Sequence, residues 1–445
     1  MLFSKRDLSK IIIPLLIEQT LAITIGMIDS VMVSSAGEAA VSGVSLVDTV
    51  NLLLIYLFSA LAGGGAVIIS QLLGRKDYQK ANEASKQLVW VVFAVATVIT
   101  AFTLIFRKGL LNLIFGRVPK DVMQNAEIYF LFTAMSYPFL GLYNAGASVF
   151  RAMGNTKVSM YSSFIMNGIN VVGNAILIYV FEMGAAGAAI ATLFSRIVGA
   201  VIMMILVCNK KLLIHVEKPF KYKPDFLLIK QICAIGIPNG LENGMFQFGK
   251  VITQSIISGF GTIQIAANAV ANSLTALQYI PGHATGLTMI TVVGRCVGAG
   301  EKDQAKKYTK KLVGLTYLFI LTISLILCVF SKGFVGLYNL SGKSSELART
   351  IIFMNSIAVC TIWPLSFTTP NSFRAASDVK FPMILSVISM WVFRVGFSFV
   401  FGVVFDMGVT GVWLAMYLDW AFRASVFTVR FFKNTWLTKY KFRTN

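Results

Sequence analysis

Apolar runs of membrane length recur along the whole chain, and about 20 such residues cross a bilayer core as one helix. Twelve can be read, near residues 11–33, 44–70, 88–108, 126–150, 158–182, 186–208, 231–258, 267–296, 311–330, 349–373, 381–405 and 408–430. Backbone polar groups in lipid must be bonded within the protein, which makes each run an expected α-helix. Only 13% of residues are charged and 56% are hydrophobic, against about a quarter charged in a soluble domain. The expected fold class is therefore an all-α polytopic membrane protein with twelve transmembrane helices.

The net charge is +20, and its distribution points away from nucleic acid. With both termini in the cytosol, cytosolic segments hold 28 Lys and Arg, outer segments seven and the spans four: Arg196, Lys250, Arg394 and Arg423. That bias follows the positive-inside rule and suits an even number of spans. The basic loops are expected to meet anionic lipid head groups. The expected location is the cell (plasma or inner) membrane, with a monomer as the working unit. A cysteine placed at Lys218 should resist labelling from outside intact cells, and rapid labelling by an impermeant reagent would reject the arrangement. The first run carries two acids and exceeds the length of a signal-peptide core, so it is expected to be a span. The five cysteines are dispersed and show no metal-site spacing.

Sliding the sequence against itself by 224 residues brings matching stretches together. Pro14–Glu18 meets Pro238–Glu242, and Met183–Gly187 meets Met407–Gly411. Phe150-Arg151-Ala152 meets Phe373-Arg374-Ala375 at an offset of 223. Two homologous six-helix lobes are expected, residues 1–209 and 231–445, the second ending in a basic cytosolic tail. A basic linker, 210–230, would join them. An even span count per half makes them parallel repeats around a central cleft.

Charges inside the spans are the functional candidates, because a mid-membrane charge costs a few kcal/mol or more. Glu18 and Asp29 share one stripe of the first span: eleven residues apart, they fall within about 20° of one face and about 16 Å along the axis. Glu18 and Glu242 occupy equivalent places, each four residues after a proline. They are expected either to line the cleft and draw cationic substrate or to serve structure by accepting hydrogen bonds. Lys250 lies about 12 Å along the helix from Glu242, too far to pair with it. Its expected roles are an ion pair with another element or contact with substrate. Asn167, Asn170 and Asn174 share a face of the fifth span. Gly63-Gly64-Gly65 is read as close helix packing rather than a phosphate loop. Pro138, Pro238, Pro281 and Pro364 are read as kinks within spans.

The motifs PLLIEQ, GMIDSVMV, GEAAVSGVS, SQLLGRKDYQKA, FRAMGNTK and NAILIYVFEMGAAGAAIAT, in this order and with their second-half counterparts, resemble the multidrug and toxic compound extrusion (MATE) transporters. The resemblance implies twelve helices in two lobes and alternating access. It also implies export of mostly cationic or amphipathic compounds against inward sodium or proton flow. It further implies a coupling-ion site at Asp29, Asn170 and Thr192. The family's second acid, four residues after the asparagine, is Asn174 here, which leaves Asp29 as that set's only charge. No cofactor beyond Na+ or H+ is implied. A flippase or exporter of lipid-linked or anionic substrates is the alternative, kept by Lys250 and Arg394. No HExxH, no clustered metal ligands and no Ser/His/Asp set points to an enzyme.

Overall fold

The computed structural model describes residues 2–116, 118–217, 223–338 and 340–438. Lys218, the middle of the linker and the last residues of the basic tail lie outside them. All regular structure among the described residues is helical. The first half holds α1 (Lys5–Ser34), α2 (Glu38–Gly74), α3 (Tyr78–Phe115), α4 (Lys120–Met135), α5 (Tyr137–Ala152), α6 (Thr156–Asn174) and α7 (Gly184–Val207). The second holds α8 (Phe226–Ser258), α9 (Thr262–Gly298), α10 (Lys302–Val329), α11 (Ser331–Gly336), α12 (Gly342–Thr361), α13 (Pro370–Ala375), α14 (Lys380–Ser389), α15 (Phe397–Phe399) and α16 (Gly408–Phe432). The chain is an all-α polytopic membrane protein, and each of the twelve runs falls on one helix or on one broken helix.

Seven of these helical segments are long and apolar enough to cross a membrane alone. The pair α12 and α13, bent by 57° beside Pro364, makes an eighth. The remaining spans deviate for physical reasons. The fourth is cut at Ser136, just before Pro138, into α4 and α5. α8, α9 and α16 carry polar and charged side chains that the protein interior accommodates, among them Glu242, Asn268 and Asp419.

The duplication is visible in the helix bounds. Adding 224 to those of α2 gives those of α9, and α3, α6 and α7 begin 224 residues before α10, α14 and α16. The turns repeat as well: Gly37 (φ 98°) precedes α2 and Gly261 (φ 88°) precedes α9, a left-handed conformation that glycine adopts without steric cost. Asp77 then caps α3, its side chain accepting from the Lys80 N–H at 3.1 Å.

The residues form two compact units, Arg6–Gly240 and Leu241–Asn445, the latter taking in Met1–Lys5. The division falls inside α8. In the first unit α2 packs on α3, α4 and α5, while α7 packs on α4, α5 and α6. Their core includes Val44, Val47, Tyr129, Phe130, Ile178 and Ala188. In the second unit α9 packs on α10, α12 and α13 around Leu274, Ile351, Val359, Trp363 and Trp420. The N-terminal segment is tied there too, with Phe3 edge-on to Tyr308 and the Tyr308 hydroxyl donating to the Phe3 carbonyl at 2.7 Å.

Helix approach explains the glycine run. A Cβ on Gly64 would stand 2.6 Å from the Ile232 carbonyl oxygen and 2.8 Å from the Gly236 nitrogen, both backbone of α8. At Gly63 the nearest atom is 4.0 Å away. Gly64→Ala should therefore cost about 1–3 kcal/mol through overpacking, whereas Gly63→Ala should be neutral or gain up to about 1 kcal/mol of helix propensity. Thermal stability of the two variants in detergent checks this, and equal melting would remove the packing role.

Candidate functional site

In the first unit the spacing of α6 brings Asn170 and Asn174 onto one face, and that face meets Asp29 of α1. The Asn174 amide nitrogen donates to Asp29 Oδ1 at 2.9 Å. The Asn170 amide, oriented to satisfy its neighbours, donates to both Asp29 oxygens at 3.0 and 2.9 Å. Its oxygen then accepts from the Thr192 hydroxyl of α7 at 3.2 Å. All four expected coupling-site residues are thus assembled across three helices. Asn174 Oδ1 is buried with no partner among the described residues, an acceptor left open beside the carboxylate. The helix widens to a π turn over Ala175–Val180, immediately after Asn174, a distortion frequent at functional sites. Asn167 stands apart and donates to Ser163 at 3.1 Å.

Asp29 is not the only acid of this region. Asp48 of α2 lies within electrostatic reach of it. Asp48 accepts from the Tyr129 hydroxyl at 3.1 Å and from Asn51 at 3.2 Å, and Asn51 in turn accepts from Tyr137 at 2.7 Å. Arg196, also within reach of Asp48, donates to Ser136 at 2.6 Å. The signal for Asp48 was available in the sequence, as an acid inside the second apolar run, and the rule that selects Asp29 selects it too. Asp419 in the twelfth run was equally available.

Glu18 and Glu242 favour the structural alternative. Glu18, only 4% exposed, accepts from Arg151 at 2.7 Å and from the Ser159 hydroxyl at 2.6 Å. Glu242 is 8% exposed and accepts from one nitrogen of Arg374 at 2.8 and 2.7 Å. The partners are the arginines of the duplicated Phe-Arg-Ala motif, so each half has built the same ion pair. A carboxylate closed in this way offers little charge to a cationic substrate.

Lys250 has no carboxylate within ion-pair distance among the described residues; its ammonium stands 5.9 Å from the centre of the Phe246 ring. Arg394 lies 5.4 Å and Arg423 5.1 Å from the same ring. Arg423 pairs with Asp419 at 3.0 Å, and Ser389 donates to the other Asp419 oxygen. Arg423 and Asp419 stand four residues apart on α16, an ion pair within one helix, and among the described residues Lys250 has no ion pair with another element.

Two units of broken helices, with a carboxylate and amides gathered inside the first, fit a polytopic transporter of small molecules or ions. The MatE family model matches residues 14–176 and again 238–400, at the same 224-residue offset. The chain belongs to the MatE family, and it is a membrane transporter rather than an enzyme. It is 25% identical over 434 residues to the uncharacterized transporter YisQ of Bacillus subtilis, covering 96% of this chain and 94% of that one. It is 24% identical to the probable multidrug resistance protein NorM of Thermotoga maritima, covering 97% and 93%. The fold is shared with a solved multidrug resistance MATE family transporter of the MOP superfamily in an outward-facing conformation. The TM-score is 0.91 and the identity 19%, over 97% of this chain and 96% of the other.

Proposed function

We propose that the protein is a cation-coupled antiporter that exports organic compounds by alternating access, with protons sufficient as the coupling ion. The assembly of Asp29, Asn170, Asn174 and Thr192 into one bonded cluster carries this reading. A carboxyl group fits the task, because burial favours its neutral form and a nearby cation its ionised form. The Asn170 amide suits both conditions. With its nitrogen toward Asp29 it stabilises the bare carboxylate. Turned over, it presents oxygen beside the carboxylate and the open Asn174 Oδ1, while its nitrogen faces Thr192 at 3.2 Å. Sodium would use those oxygens; a proton needs only the acid.

Asp48 belongs to the same device as a second acid held by Tyr129 and Asn51. Its removal should slow coupled export about tenfold without abolishing it, the effect of about 1.4 kcal/mol of charge interaction. Export from vesicles under an imposed proton gradient compares Asp48→Asn with the parent. An unchanged rate would reduce Asp48 to a helix-to-helix bond. The relatives' names support drug-like compounds as cargo. The basic loops support cytosolic termini in the cell membrane and contact with anionic head groups.

A further inference from the structure

We propose that the second unit carries a binding site for an organic anion, a molecule that joins a carboxylate, phosphate or sulfonate to an apolar ring-bearing body. Three cations, Lys250, Arg394 and Arg423, surround the Phe246 ring within 5.9 Å, and Arg423 also lies 4.3 Å over Phe367. One acid among the described residues answers them, and Asp419 is already occupied by Arg423 and Ser389. Among the described residues Arg394 donates to the Met416 sulfur, at 2.9 Å, and has no carboxylate within ion-pair distance. Three cations and one acid thus leave an excess of positive charge within the spans, where each unanswered charge costs a few kcal/mol or more. Like charges gathered on one ring also repel one another. A bound anion removes both penalties.

The neutral groups around them share the same bias. Among the described residues Trp420 Nε1 and the Tyr417 hydroxyl are buried donors without an acceptor, and a native structure leaves few such groups unexplained. Lys250 and His283 remain accessible although the rings of Phe246 and Trp363 stand beside them, with Trp363 stacked on Phe367 at 4.9 Å. Charge, hydrogen-bond donors and flat apolar surface therefore meet around Phe246 and Phe367, with Lys250 and His283 exposed at the edge.

The duplication makes the polarity a built difference rather than scatter. At the 224-residue offset Asn170 corresponds to Arg394, Thr192 to Met416, Asn174 to Ser398 and Asp29 to Thr253. The contact between Asn170 and Thr192 recurs as the contact between Arg394 and Met416. The first copy of the cluster offers oxygens around an acid, and the second offers a guanidinium where the asparagine stood. One copy suits a cation and the other an anion. As a substrate site this rests on the transport reading above; as a binding site it stands without any gradient.

The test uses the full-length protein in phosphatidylcholine nanodiscs and two dyes that share a xanthene body. Fluorescein is an anion and rhodamine 123 a cation. By fluorescence anisotropy, fluorescein should bind at least about 30-fold more tightly, the factor expected when a buried charge is answered rather than left alone. Lys250→Gln and Arg394→Gln should each erase that advantage, and Lys250→Arg should keep it. Phosphatidylglycerol added to the discs separates the sources. Displacement of fluorescein by it, relieved in Lys250→Gln, marks a lipid head group, and indifference marks a soluble anion. Equal affinity for the two dyes, fluorescein binding that survives both Gln variants, or neither fluorescein nor phosphatidylglycerol bound overturns the proposal. Melting of Lys250→Gln at or above the parent temperature supports it as well, whereas a lower melting temperature would make Lys250 structural. Asp29→Asn should still bind fluorescein, so a failure of coupling and a failure of this site are read separately.

Discussion

Asp29→Asn should reduce export under an imposed gradient to the rate of passive leak while the protein remains folded. Asparagine keeps the size of the side chain and can still bond to Asn170 and Asn174, which now surround the carboxylate at 2.9–3.0 Å. It loses the charge and the exchangeable proton. Exchange requires that ion and substrate draw on one group in turn, and an amide has no second protonation state to offer. Asn174→Asp is the converse change. It adds an anion beside the first, and about 1.4 kcal/mol of added attraction would tighten sodium binding about tenfold. Transport at fixed pH with and without a sodium gradient, in the parent and both variants, gives the outcome. If the parent requires sodium and ignores a proton gradient, proton coupling is wrong. The amide oxygens and Thr192 then complete a sodium site with Asp29.

Arg423→Met should cost about 3–5 kcal/mol, the penalty for leaving one member of a buried ion pair alone. The Asp419 side chain is 0% exposed and that of Arg423 2%, so neither charge can turn to water. Arg423 also packs over Phe367, and the flexible methionine only partly fills that space. A fall in melting temperature of roughly 10 °C is expected in detergent. The double variant Arg423→Met with Asp419→Asn should recover much of it, because the uncompensated carboxylate is gone. The contrast with Lys250→Gln is informative. Both residues are cations beside Phe246, yet only Arg423 has its counter-charge in place. If Arg423→Met melts with the parent, the ion pair does not support the fold.

Length and period were readable from the chain alone. Each apolar run became a helix or a broken helix, because lipid leaves the backbone no other way to bond. The 224-residue repeat predicted matching helix bounds, since similar residues at the same spacing start and stop helices alike. Helical period also placed Asn170 and Asn174 on one face, and the family resemblance aimed that face at Asp29. What lay beyond the sequence was pairing between helices. Arg151 lies 133 residues from Glu18 and Arg374 lies 132 from Glu242, and no local pattern announces such partners. Lys250 and Arg423 differ even in sequence, since Asp419 stands four residues before Arg423 and no acid stands three or four residues from Lys250. The packing of α16 against the eleventh span adds the Ser389 hydroxyl to Asp419, a contact no local pattern announces. Sequence period fixes the face and depth of a side chain on its own helix, but the charge it meets there is set by which helices pack around it.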